Sequence, residues 1–281
     1  MAWLPPLSPR ALRLACALPA LVFFAAFWLL PVGQLLMLPA SQGGSTYFAV
    51  LTEARYLKSL LQTLALSAGV TAATLVLGAV VGLTLARRRF RGRALLLSLM
   101  TLPLSFPGVI IGFFVILLGG RQGLVADLSS ALGAGRLTFA YGLGGLFLGY
   151  LYFSLPRAIA SYTAAAEALD SALEEAARSL GANRWQVARD VWWPGLLPTT
   201  GSCAAMVFAT AMGAFGTAFT LASRYEVLPI TIYNEFTNYA NFALAASLSM
   251  ALGLITWLAL MAARWLGASA PTPLAKSAAG V

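Results

Sequence analysis

Six stretches of this chain carry no charged residue: 14–52, 59–86, 94–120, 137–156, 191–223 and 236–263. A helix needs about 20 apolar residues to cross the hydrocarbon of a bilayer, and each run is long enough, 137–156 with least to spare. Helices satisfy every backbone N–H and C=O within the segment, which hydrocarbon requires. The chain is therefore predicted to be an all-α integral membrane protein with six transmembrane helices. Composition agrees: 60% of residues are hydrophobic and 10% charged, where soluble domains average about a quarter charged.

The basic residues set the orientation. With the amino terminus in the cytoplasm, that side receives Arg10, Arg13, the run Arg87, Arg88, Arg89, Arg91 and Arg93, then Arg157, Arg178, Arg184, Arg189, Arg264 and Lys276; Arg55, Lys58, Arg121, Arg136 and Arg224 face the other way. This is a positive-inside bias, and it places both termini in the cytoplasm. It also accounts for the high pI without nucleic acid as a partner. The arginine run 87–93 reads as a topological stop that also contacts anionic membrane lipid. Cys16 and Cys203 fall within spans and there is no histidine, so neither a disulfide nor a metal or cofactor site is expected.

Residues 1–58 read as a cytoplasmic segment, a first span and an outer loop with a brief interfacial helix. A signal peptide is the competing reading of the first run, but the run is too long and no cleavage pattern follows it closely. Trp3 and Trp28 are expected at the membrane interface. Residues 59–263 form the core with five spans, and 264–281 a disordered tail.

One stretch, 165–198, is neither purely apolar nor of low complexity, and it holds Glu167, Asp170, Glu174, Glu175 and Asp190, five of the nine acids. Ala166, Leu169, Leu173, Ala176, Ala177 and Leu180 recur at helical spacing as an apolar seam, with Glu167, Asp170, Ser171, Glu174 and Arg178 on another face. Gly181 stands where a helix stops in a positive-φ conformation, so the first helix is expected to end at Leu180. Asn183 with Gln186 forms a capping pair for a second helix, which Pro194 is expected to end. A helix-turn-helix hook outside the bilayer follows; a plain surface connector between two spans is the alternative.

The hook resembles the EAA loop of binding-protein-dependent ATP-binding-cassette importers, a MetI-like transmembrane domain: Glu175-Ala176-Ala177, three residues, Gly181, nine residues, Val191, two tryptophans and Pro194. Val191 and Trp193 depart from the family's Ile and Leu. The resemblance covers roughly residues 60–265. It implies a bacterial inner-membrane permease whose hook, a coupling helix, sits on an ATPase subunit, with Glu174, Glu175, Ala176, Ala177, Gly181 and Pro194 as the coupling residues. The partners so implied are an ATP-binding-cassette ATPase dimer, a second permease chain, identical or paralogous, and an extracytoplasmic solute-binding protein.

Residues elsewhere bear on the path and cargo. Pro103 and Pro107 interrupt the third span, and such breaks either help helices pack or mark a binding region. Gly78 and Gly82 suit close helix packing. Candidate path residues are Pro107, Phe113, Tyr150, Phe208, Gly213, Phe215 and Gly216, with packing as the alternative for each. The stretch 120–124, GRQGL, resembles the equivalent loop of sulfate, molybdate and polyamine permeases, whereas LPITIYNEFTNYANF, taken as an outer loop within 223–242, resembles the polyamine, ferric-iron and aminoethylphosphonate branch. Ala214 stands where those relatives often carry an acid. The cargo so suggested is a polyamine such as spermidine or putrescine, or 2-aminoethylphosphonate, with ferric iron, sulfate or molybdate as alternatives. Neither lysine belongs to a Walker A loop, so the chain is expected to be no enzyme and to use ATP hydrolysed elsewhere. A secondary transporter is the reading from a different class; it usually needs ionisable groups within the spans, and all nine acids are assigned outside them.

Overall fold

The computed structural model describes residues 9–223 and 225–268, and among these all regular structure is helical. The elements are α1 (Pro9–Phe24), α2 (Leu30–Met37), α3 (Ala49–Thr52), α4 (Ala54–Arg87), α5 (Arg93–Thr101), α6 (Gly108–Gly119), α7 (Leu124–Ala131), α8 (Leu143–Ala168), α9 (Ser171–Ser179), α10 (Arg184–Val187), α11 (Trp193–Met212), α12 (Phe215–Leu221), α13 (Leu228–Tyr233) and α14 (Phe242–Ala268). Six segments are long and apolar enough to cross a membrane: Ala17–Gln42, Ala54–Arg87, Gly108–Ala131, Leu143–Ala168, Arg184–Met212 and Phe242–Ala263. All six expected spans are present, with shifted bounds.

The shifts have local causes. The run 94–120 is not one helix: α5 passes into a 3-10 turn at Leu102–Ser105, Phe106 is extended, and Pro107 starts α6 as its N-cap. Residues 137–142 precede α8, which runs on past Pro156 to Ala168, so Arg157 and Glu167 belong to a membrane-length helix instead of a flanking loop. Asp127 and Asp190 also fall within membrane-length segments, close to one end of each. Trp28 lies near the middle of the first span and stacks on Phe24. The last helix continues through Ala268, beyond the expected start of the tail. Trp3, Lys276 and residues 269–281 lie outside the described residues, as do the side chains of Arg10, Arg13 and Cys16 and all of Arg224.

Proline handling follows a pattern. Pro31 and Pro194 are each preceded by a π-helical turn, Ala25–Leu29 and Ala188–Trp192, and each sits in the first turn of the α-helix that follows. A proline ring collides with the carbonyl four residues back in a regular helix; the wider π turn relieves that collision. Pro194 therefore does not end the second hook helix, which flows through α10 and the π turn into α11.

The frame is the parallel pair α4 and α8, both of which end at the hook. A Cβ on Gly82 would lie 2.6 Å from the Tyr162 Cβ, and one on Gly78 would lie 2.9 Å from the Ala158 Cβ, so only glycine allows this approach. Above this seam Leu66, Val70, Val115, Leu146, Tyr150, Val207 and Leu221 form the main core between α4, α6, α8, α11 and α12. At the far end from the hook, residues 223–242 are not a loop. They fold into α13 and a π turn, Asn234–Asn238, held on α4 by Tyr56 Oη donating to Glu235 Oε1 (3.0 Å), a Ser59–Thr231 hydroxyl pair (2.8 Å) and the Leu228 N–H donating to Thr63 Oγ1 (2.8 Å). Thus Glu235 is buried.

Gly82→Leu is expected to lower the thermal midpoint of the detergent-solubilised protein, at a cost of about 1–3 kcal/mol for overpacking. Gly33→Ala, whose added carbon would meet open space, should not lower it.

Candidate functional site

The hook begins where α8 ends. Leu169 is extended, and the Asp170 carboxylate caps α9 by accepting from the Ala172 N–H at 2.9 Å. After Leu180, Gly181 takes φ +83° and the chain reverses. Asn183 then accepts from the Gln186 N–H (2.9 Å) while Gln186 Oε1 accepts from the Asn183 N–H (2.8 Å), a complete capping box. The stop and the restart of the helix are thus as the sequence indicates, although Ala166 belongs to α8 and not to the hook helix.

Of the polar face read from the sequence of α9, Ser171 and Arg178 are exposed and Glu174 is not. Glu174 is 8% exposed, whereas Leu173 and Ala176 of the apolar seam are exposed, as are Leu180 at 89% and, across the turn, Trp185 at 75%. What turns Glu174 inward is its set of partners. It accepts from Arg178 at 2.5 Å and from the Trp192 indole N–H at 3.2 Å, and it pairs with Arg87, the last residue of α4, at 3.3 Å. The Arg87 guanidinium also lies 5.8 Å from the Trp192 ring centroid, within cation–π range. One carboxylate therefore ties α9, the start of α11 and the end of α4. A second tie, Arg93 to Glu167, links the start of α5 to α8. Of the coupling residues, Glu175, Ala176, Gly181 and Pro194 are exposed, Ala177 is half-buried, and Glu174 faces the interior of the hook.

The second region is the pair of broken helices. α11 stops at Met212, Gly213 and Ala214 leave helical geometry, and α12 resumes at Phe215. The Ala214 carbonyl, freed by the break, accepts from the buried Tyr150 hydroxyl at 2.8 Å. Beside it, Thr217 Oγ1 donates at 3.0 Å to the carbonyl of Gly108, the first residue of α6 after Pro107. Gly216 backs directly onto Gly108 and Val109. Pro107, Tyr150, Gly213 and Gly216 are thus brought together around two interrupted helices. Phe215 stacks in a cluster with Phe219 and Tyr233, Phe208 is half-buried along α11, and Phe113 is 55% exposed and joins no aromatic pair among the described residues. Sequence reasoning missed the α4 stripe of Tyr56, Ser59 and Thr63, whose three- and four-residue spacing was the available signal.

Comparison with known proteins places this geometry. The model for the family "binding-protein-dependent transport system inner membrane component" matches residues 75–268. The molybdenum transport system permease protein ModB of Escherichia coli (strain K12) is 31% identical over 187 residues, spanning 65% of this chain and 80% of that one. Sulfate permease 2, chloroplastic, of Chlamydomonas reinhardtii is 35% identical over 210 residues, 70% of this chain and 55% of that protein. The thiamine transport system permease protein ThiP of Escherichia coli (strain K12) is 31% identical over 166 residues, 58% of this chain and 31% of that protein. In fold, a chain of a bacterial alginate ABC transporter, solved with an alginate pentasaccharide-bound periplasmic protein, superposes with a TM-score of 0.79 at 19% identity, covering 91% of this chain and 93% of that one.

Glu174→Gln removes the charge that Arg87 and Arg178 share, at an expected cost of about 1–3 kcal/mol to local stability. Amide hydrogen exchange in residues 171–192 should accelerate about ten-fold or more, while Glu175→Gln, on the exposed face, leaves exchange unchanged.

Proposed function

The chain belongs to the family of binding-protein-dependent transport system inner membrane components, permease subunits of ATP-binding-cassette importers, and from that premise we propose that its hook is the docking element for a separate ATPase dimer in the cytoplasm. The observation that carries the docking role is the apolar surface of the hook: Leu173, Ala176, Leu180 and Trp185 are exposed while the buried Glu174 carboxylate ties the hook to the end of α4. An apolar face on an element braced from behind suits a partner surface. ATP-driven closure of the ATPase pushes on this face, and the tie from Glu174 to Arg87 passes the displacement to α4. A second permease chain completes the path between the broken helices, and a solute-binding protein delivers cargo at the end opposite the hook. Both termini lie on the hook side, at the inner membrane.

For cargo, the alternative of an oxyanion, molybdate or sulfate, is the better supported reading. Relatives named for molybdenum and sulfate transport match over most of the same core. A polyamine would need carboxylates or open aromatic faces, and the carboxylate of the motif that suggested polyamines, Glu235, already accepts from Tyr56.

Mild solubilisation of the tagged protein from its native membrane should recover an ATP-binding-cassette ATPase, identified by mass spectrometry. Leu180→Glu should abolish that recovery with the permease still inserted. Gly181→Val, which forces a β-branched residue into φ +83° at about 1–2 kcal/mol or more, should retain insertion and lose most solute uptake. Normal uptake by the Gly181 variant would exclude the coupling role.

A further inference from the structure

At the end of the molecule opposite the hook, a cavity of about 460 Å³ is lined by Arg121, Thr138, Tyr141, Thr220 and Ser223. Three separate pieces of chain make it. Arg121 follows the glycine turn at the end of α6. Thr138 and Tyr141 come from the extended stretch before α8, fixed there because the N–H groups of Phe139 and Ala140 both donate to the Gly119 carbonyl, at 2.9 and 3.0 Å. Thr220 and Ser223 come from α12 and the residues just after it, beyond the break at Gly213 and Ala214. The cavity thus joins the outer ends of the two interrupted helices.

Its chemistry is one-sided. Among the described residues, the guanidinium of Arg121 and the hydroxyls of Thr138, Tyr141 and Ser223 make no hydrogen bond or ion pair with the protein; only Thr220 is engaged, donating to the Thr217 carbonyl at 3.0 Å. No carboxylate lines the cavity. The acids elsewhere at this end include Glu226, which lies 4.0 Å from Arg55, and Glu235, which accepts from Tyr56. A planar, permanently charged fork with convergent hydroxyl donors and no competing acid matches a tetrahedral oxyanion, which accepts at every oxygen. The same set repels an ammonium or thiazolium cation.

We propose that this cavity is an oxyanion-binding site at the outer mouth of the path, in which Arg121 holds the charge and Thr138, Tyr141 and Ser223 donate to the remaining oxygens. The proposal rests on the oxyanion reading of the cargo. Because the site spans the ends of α6 and α12, occupancy reports on the relative position of the two broken helices.

The test uses the complete transporter, with its ATPase and solute-binding protein, in proteoliposomes, and follows radiolabelled molybdate and sulfate. At saturating loaded binding protein, Arg121→Gln is expected to lower the maximal uptake rate about ten-fold or more. Arg121→Lys should recover part of the loss, and Thr138→Val and Tyr141→Phe should show smaller losses. Arg136→Gln, an exposed cation outside the cavity, controls for general surface charge and should match wild type. Insertion of each variant is checked by immunoblot of the reconstituted membrane. If the wild type carries an oxyanion and Arg121→Gln matches Arg136→Gln, the site is overturned while the cargo reading stands. If Arg121→Gln changes only the concentration of binding protein needed for half-maximal uptake, the cavity is a protein-docking contact and the proposal is likewise overturned. If the wild type carries thiamine or putrescine and neither oxyanion, the cargo reading fails, and the site with it.

Discussion

Every peptide group placed in hydrocarbon has to find its hydrogen-bond partner in the protein, and the arrangement of this molecule depends on how it meets that demand where helices are interrupted. Two of its membrane segments are broken, at Phe106 and Pro107 and at Gly213 and Ala214. At the second break the Ala214 carbonyl accepts from the Tyr150 hydroxyl of α8, and next to the first break Thr217 of α12 donates to the Gly108 carbonyl in the first turn of α6. The interruptions lie side by side, since Thr217 of α12 bonds the backbone of α6 and Gly216 backs onto Gly108.

Around that centre the structure is rigid in one direction and open in another. The α4–α8 seam allows no side chain at Gly82, and the hook is locked to the end of α4 by a carboxylate with three partners. The first span, by contrast, buries none of the residues in its apolar window and touches the rest mainly through α14.

Charge is distributed to match. The hook end concentrates arginine but pairs several of them, Arg87 and Arg178 with Glu174 and Arg93 with Glu167, so that end is braced as well as basic. At the other end the pairing is selective: Glu226 lies near Arg55 and Glu235 is bound by Tyr56, and Arg121 remains with hydroxyls around it. A resemblance in the stretch that contains Glu235 suggested a cationic cargo, and the fold gives that carboxylate a structural partner.

Charge-free runs, arginine asymmetry and the spacing from Glu175 to Pro194 determined by themselves the six spans, the hook and the family, because each is a property of consecutive residues: length against bilayer thickness, position against the membrane, and a turn that needs Gly181 followed by a cap at Asn183. Helix ends were less legible. Pro194 reads as a stop from local sterics, and only the π turn before it, an adjustment of the backbone, lets the helix continue. The direction of Glu174 was not legible at all, since periodicity ranks faces by polarity and could not see Arg87, 87 positions back from residue 174, or Trp192 arriving at the same point. The same holds for Glu235 with Tyr56 and for the five residues around Arg121, which come from distant parts of the chain. Tertiary structure decided these, because a buried or ligand-facing polar group is defined by which partners the fold brings within hydrogen-bond reach, and local sequence carries no record of them.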